Sequence, residues 1–314
     1  MKTLITGGAG FIGTHVAQRL LEGSEVRLLD NFRRNSLASV PSLRDDPRVE
    51  VLDVDILDAD SVAKAMDEVD VVIHLAAIAG VSSYYSESLR TLQVNILGTN
   101  IVLEQAARAG VRQLVHFSTS EVFGPDALWV GEESGFRIGP VSDRRWVYAT
   151  SKLAGEQLTL RYGEEHGFAA SVIRPFNVYG PRQTGEGAIA NFCSAALEGR
   201  PLKVYGDGTP IRSWCHVADM VDAVEAVLST PEAAGETFNI GNPAETETTL
   251  GLARRVQNLV PGSTLEFEHV DRAEVRARVP DISKARAVLG FEPRVDLANG
   301  LAETLEHLRA EAER

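Results

Sequence analysis

Cysteine is scarce in this chain: two residues in 314, Cys193 and Cys215. No disulfide framework is implied, and reduced thiols of a cytoplasmic protein are expected. Positive charge is short as well. Thirty-one Lys and Arg stand against 44 Asp and Glu, a formal net charge of −13. That balance argues against nucleic acid or an anionic membrane as a general partner. A small anion stays within reach, because helix N-termini and a few arginines cradle phosphates even inside an acidic protein. No stretch approaches the roughly 18 apolar residues of a membrane span. The opening "MKTLITGG" reads as a strand entering a glycine loop rather than as a leader. Internal repeats and low-complexity segments are missing too, and no metal is expected.

What the chain does have is alternation. Strand-like runs "KTLITG", "EVRLLD", "VEVLDVDI", "DVVIHLAA", "QLVHFSTS" and "ASVIRPFN" are separated by helical stretches such as "FIGTHVAQRLLEG" and "SVAKAMDEV". Several runs are apolar enough to be buried on both faces, as in a parallel sheet with helices on each side. The expectation is an α/β fold, a doubly wound parallel sheet of the Rossmann kind. Beyond Pro175 the pattern turns mixed and suggests a smaller C-terminal α/β lobe.

Gly7, Gly10 and Gly13 in "TGGAGFIG" follow the first strand and open the first helix. Their jobs are a tight turn, close backbone approach to a pyrophosphate, and close helix–strand packing. The next strand ends in Asp30, 17 residues past Gly13. A carboxylate there bonds a ribose diol and repels a 2′-phosphate, which points to NAD. Phe11, Ile12, Asn31 and Ala76 belong to the same cofactor-binding set, and Asp55-Ile56 is placed beside the adenine. Tyr148 and Lys152 in "YATSK" share one face of a helix from Trp146 to about His166. An ammonium near the phenol is expected to lower its pKa from about 10 and make it a base for a sugar hydroxyl. The strand-end run "STSEVFG" adds hydroxyls that can bond a sugar and one acid, Glu121.

With these motifs assembled, the sequence resembles the extended short-chain dehydrogenase/reductase family of nucleotide-sugar epimerases, dehydratases and decarboxylases. "HLAA", "RPFNVYGPRQ", "VYGDG", "IRSWCHVADM", "FNIGNP" and "RVPDISKARAVLGFEP" carry the likeness along nearly the whole chain. The resemblance implies NAD on Gly7, Gly10, Gly13 and Asp30, with Thr119, Tyr148 and Lys152 as catalytic triad and Lys152 also on the nicotinamide ribose. It implies a UDP-sugar under the C-terminal lobe. Asn177 and Arg212 are then expected at the diphosphate, Lys203 and Tyr205 near the base, and Ser82 and Tyr84 near the sugar. Arg182 is expected at a uronate, and either Arg272 or Arg276 adds charge. The implied division is a dinucleotide domain over 1–174, with 205–241 returning to it. A sugar-nucleotide lobe covers 175–204 and 242–314.

Where the family's 4,6-dehydratases have an Asp-Glu pair, this chain has Ser120-Glu121, so dehydration lacks its acid. "STSEV", "GPVSDRRWVYATSK" and "RVPDISKARAVLGFEP" resemble the UDP-glucuronate decarboxylase branch instead. The implied reaction is oxidation at C4 and loss of carbon dioxide from the resulting β-keto acid. The product is then UDP-xylose or UDP-4-keto-xylose. Glu121 is expected to bias decarboxylation by its charge or through water, and Arg212 is a second candidate at C5. A UDP-glucuronate or UDP-hexose 4-epimerase is the alternative. The helices "LQVNILGTNIVLEQAARAG" and "VYATSKLAGEQLTLRYG" resemble the pair through which this family forms homodimers.

Overall fold

The computed structural model describes residues 1–269 and 275–313. Seven strands make one sheet: β1 (Lys2–Thr6), β2 (Glu25–Asp30), β3 (Val49–Asp53), β4 (Val71–His74), β5 (Gln113–Phe117), β6 (Ala169–Pro175) and β7 (Thr237–Ile240). Their order is β7-β6-β5-β4-β1-β2-β3, and every neighbouring pair is parallel. The alternation of side chains along β1 explains why both faces must be covered. Ile5 packs with Val16, Val115 and Val224 on one side, while Leu4 packs with Val62, Val102 and Leu103 on the other. The first side is closed by α1 (Phe11–Leu20) and the helix Val217–Ser229, the second by the helices Ala59–Ala65 and Thr99–Ala109. This is the Rossmann arrangement. The chain turns back between β1 and β4, and the crevice at the strands' carboxyl ends there is where such sheets take ligands.

The smaller lobe has its own core, including Tyr179, Phe192, Leu202, Trp214, Leu252 and Leu301. A four-stranded sheet runs Thr246–Thr248, Ile211–Ser213, Ala277–Pro280, Asp126–Val130 across it. Two of these strands come from stretches that the sequence reading gave to the dinucleotide domain. Residues 126–130, inside 1–174, and 211–213, inside 205–241, pair with lobe strands rather than with the seven-stranded sheet. A parallel partner so far along the chain leaves no local sequence signal. No described helix is long and apolar enough to cross a membrane.

Candidate active site

Two cavities meet at Tyr148. The larger, about 320 Å³, follows the carboxyl edge of β1, β2 and β4 and is lined by Gly7, Gly10, Asp30, Ile56, Ala76 and Lys152. Phe11, Ile12, Gly13, Asn31 and Asp55 also line it. Gly7 has φ +71, and a Cβ there would lie 2.7 Å from the Ala76 amide nitrogen. At Gly13 a Cβ would fall 2.5 Å from the Gly7 carbonyl. The loop is therefore an all-backbone cradle at the start of α1, the shape a pyrophosphate needs. Asp30 accepts from the Ala9 amide at 3.0 Å and the Phe32 amide at 2.8 Å. Burial raises its carboxyl above the ordinary value, and those amides oppose the rise. Asp55 is held by Arg90 at 2.6 Å, and Arg33 is paired with Glu87 at the rim. These residues fit a dinucleotide with a free ribose diol.

The smaller cavity, about 270 Å³, is lined by Thr119, Glu121, Arg145, Asn177, Arg212 and Arg278, and Tyr148 joins it to the first. Strand β5 ends at Phe117. The chain then enters a 3₁₀ turn over Ser120–Phe123, capped by Thr119 accepting from the Glu121 amide at 3.2 Å. That turn aims Glu121 into the cavity. Tyr148 and Lys152 sit one turn apart on the helix Val147–His166, both buried. Thr119 and Tyr148 line this cavity together, with the Thr119 hydroxyl placed to favour the phenolate.

The titration of this pair departs from the sequence expectation. Burial, then the charge of Glu121, pushes the Tyr148 phenol up, against the Thr119 hydrogen bond and Arg34. Lys152 is itself lowered to about 7 by burial, against the pull of Glu156, so it is a weak source of positive charge for the phenol. Burial also favours the neutral form of Glu121, but Arg145 outweighs it, with Arg278 and Arg212 adding to the effect. The carboxyl ends below its ordinary value.

Arg145 is the residue that sequence reasoning passed over. It meets Glu121 through both terminal nitrogens, at 2.6 and 3.0 Å, with only 7 % of its side chain exposed. Its signal lay in "SDRRWVYATSK", three residues before Tyr148. Arg278 was also missed, although it opens the quoted motif "RVPDISKARAVLGFEP". It is buried, donates to the Gly124 carbonyl and is lowered to about 10, first by burial. Arg278 stands opposite Arg212 in register on neighbouring parallel strands. Two guanidiniums so placed repel each other unless an anion lies between or beside them.

Several expected substrate contacts lie elsewhere. Arg182 has φ +67, which turns its guanidinium to His15, 2.6 Å away, and to Gln18 Oε1 at 2.9 Å, outside both cavities. The Ser82 amide donates to the Glu186 carboxylate at 3.1 Å, and Ser82 lines neither cavity. Tyr84 lies under Tyr148, the rings stacked at 5.2 Å and 10°. Arg276 pairs with Asp126 at 2.6 Å on the lobe surface, and Lys203 with Glu268 at 3.1 Å. Tyr205 is 44 % exposed, outside both cavities. Arg272 lies outside the described residues. Asn177 lines the smaller cavity and donates to the Ser213 carbonyl at 2.9 Å, and Arg212 donates to the Val275 carbonyl at 2.8 Å.

Comparisons with known proteins agree with this geometry. The chain is 35% identical to a UDP-N-acetyl-alpha-D-glucosaminuronate decarboxylase of Bacillus cytotoxicus, over 98% of both chains. It is 36% identical to UDP-glucuronic acid decarboxylase 3 of Arabidopsis thaliana, over 98% of this chain and 89% of the other. Among solved structures, a UDP-glucuronic acid 4-epimerase of Bacillus cereus in complex with UDP-glucuronic acid and NAD superposes with TM-score 0.91. It shares 31% identity, with 99% of this chain and 100% of that one covered. Residues 3–241 match the NAD dependent epimerase/dehydratase family, and the chain belongs to it.

Proposed function

We propose that this protein is an NAD-dependent decarboxylase of a UDP-linked uronate, with UDP-glucuronate as the leading substrate and UDP-xylose or UDP-4-keto-xylose as product. The observation that carries the reading is the charge of the smaller cavity. One carboxylate, Glu121, is bidentately paired by Arg145, and Arg212 and Arg278 remain beside it. Because Arg145 answers the Glu121 carboxylate, an anionic sugar nucleotide enters this arginine-lined cavity without repulsion from Glu121. The relatives named above as decarboxylases support loss of carbon dioxide over simple inversion at C4.

Gly7, Gly10, Gly13 and Asp30 hold the dinucleotide, with Asp55 and Ile56 at its adenine end. When bound, NAD supplies the oxidising power that takes hydride from the sugar C4 and gives it back. Tyr148, with Thr119 beside it, removes the C4 hydroxyl proton. Lys152 would hold the nicotinamide ribose, and it releases or takes a proton near neutrality. A C4 ketone makes the uronate a β-keto acid, and its C–C bond breaks as the electron pair moves into the carbonyl. The hydroxyls of Thr119 and Tyr148 stabilise the resulting enolate oxygen. Arg212 and Arg278 hold the anionic part of the sugar until carbon dioxide leaves, and C5 then takes a proton. In this reading the soluble cytoplasmic protein works as a homodimer built on the helices Thr99–Ala109 and Val147–His166, which sedimentation tests.

The deciding experiment gives the purified protein UDP-glucuronate and UDP-N-acetylglucosaminuronate in parallel and follows carbon dioxide, product mass and NMR. Loss of one carbon dioxide from either is expected, about 44 mass units when hydride returns to C4 and about 46 when the 4-keto sugar is released with NADH. An unchanged mass with inverted C4 stereochemistry makes the protein a 4-epimerase.

A further inference from the structure

We infer that Arg145 is a positioning residue whose guanidinium face fixes the ring plane of Tyr148 through Tyr84, while its two terminal nitrogens hold Glu121. The inference rests on the reading of Tyr148 as the base of the proposed reaction. Arg145 belongs to the turn Arg144–Trp146 that leads directly into the helix carrying Tyr148. Its guanidinium is not free to wander. Both terminal nitrogens are committed to Glu121, and the Arg145 amide donates to the Asp143 carboxylate at 2.9 Å. The guanidinium centre lies 5.4 Å from the Tyr84 ring and 5.7 Å from the Trp146 ring.

Tyr84 in turn is 2 % exposed and stacks on Tyr148 with the rings only 10° from parallel. The resulting column is guanidinium, phenol, phenol. Each member restricts the next, because a stacked ring cannot rotate about its Cβ–Cγ bond without breaking contact. The far end is held by a forked ion pair that only a planar guanidinium can make. Tyr148 therefore presents its oxygen to Thr119 in one orientation. A proton transfer needs its heavy atoms within about 3 Å, and small misplacements cost large factors in rate. A simple buried ion pair accounts for the Glu121 contacts. It does not account for the column, and the two roles make different predictions.

Four variants separate them. Arg145→Lys keeps the charge beside Glu121 and loses the fork and the stack. Turnover is expected to fall about 30-fold with KM within about threefold, because the sugar site is intact and only the base is misaligned. Tyr84→Phe keeps the column and is expected to stay within about threefold of wild type, whereas Tyr84→Leu falls about tenfold. Guanidinium at low millimolar concentration restores part of the activity of Arg145→Ala. A second readout needs no turnover. The chain has six tyrosines, so 3-fluorotyrosine labelling gives a resolvable spectrum in which Tyr148→Phe identifies the Tyr148 signal. In the wild type that signal is displaced by the Tyr84 ring current. It moves toward the value of free fluorotyrosine in both Arg145→Lys and Tyr84→Leu.

An unmoved fluorine signal in Arg145→Lys overturns the inference, as does wild-type turnover in that variant or in Tyr84→Leu. If the wild-type protein converts no UDP-sugar, the functional reading fails on its own, and the fluorine signal still decides whether Arg145 orders the ring.

Discussion

Glu156 offers the sharpest test of how the site is held from beneath. It lies one turn past Lys152 on the same helix, and its side chain is 2 % exposed. Arg174 on β6, 5 % exposed, donates to it from Nε at 2.9 Å and Nη2 at 2.7 Å, and Ser118 Oγ donates to the same carboxylate. Arg174 also bonds the Glu132 carbonyl at 3.1 Å and faces the Phe123 and Phe136 rings at 5.1 and 5.0 Å. Glu156→Gln keeps the volume and removes the charge, leaving a buried guanidinium without its counter-ion. Such a loss costs about 3–5 kcal/mol. At about 2 °C per kcal/mol for a chain of this size, melting should fall by roughly 6–10 °C. Removing both ions, as in Glu156→Met with Arg174→Leu, abolishes two desolvation penalties. The pair should lose less than the single variant despite deleting more hydrogen bonds. Urea titrations of the wild type, Glu156→Met, Arg174→Leu and the double variant, followed by tryptophan fluorescence and circular dichroism, give the cycle directly, with Glu156→Gln measured beside them. A single-variant cost under 1 kcal/mol, or a double variant losing the sum of its parts, refutes the reasoning.

Three other outcomes follow from the same structure. Lys152 holds its proton below about pH 7 in the fold but up to about 10.5 when unfolded. The unfolded chain then carries the extra proton between those values, so stability rises with pH there. Relative to Lys152→Met, the wild type should gain about 2 kcal/mol from pH 7 to 9 in urea titrations, and a flat difference removes the buried-lysine argument. Gly13→Ala forces a methyl against the Gly7 carbonyl and the Gly8 Cα, both backbone. A loss of about 1–3 kcal/mol and weaker NAD retention in equilibrium dialysis are expected; a variant that melts and binds like wild type contradicts the cradle. Glu87→Gln frees Arg33 at the cavity rim. The NADP-to-NAD affinity ratio should rise about threefold by fluorescence titration, and an unchanged ratio shows that Arg33 does not reach the ribose.

The dinucleotide half was readable because its signals are local. Strand, glycine loop, helix and strand-end Asp30 follow one another within thirty residues, and the four-residue spacing of Tyr148 and Lys152 fixes their shared face on any helix. The sugar side resisted for the opposite reason. Arg145, Arg212 and Arg278 come from a turn and two short strands, and only tertiary pairing makes them neighbours. Arg182 shows the converse: its motif invites a ligand role, but a left-handed backbone angle at that one residue sends it to His15. The strands 126–130 and 211–213 are too short to announce which sheet they join. The direction of the Tyr148 shift was illegible too, because it depends on how far burial weakens Lys152.

The edge strand Asp126–Val130 leaves the ribosome about 150 residues before its parallel partner Ala277–Pro280. At roughly 5–20 residues per second, its backbone waits about 8–30 s without its strand partner. Leu128 and Trp129 wait with it, and both stay largely exposed even in the finished protein. The nascent chain thus passes through a sticky interval that a holding chaperone, or slower translation after residue 130, can protect or prolong.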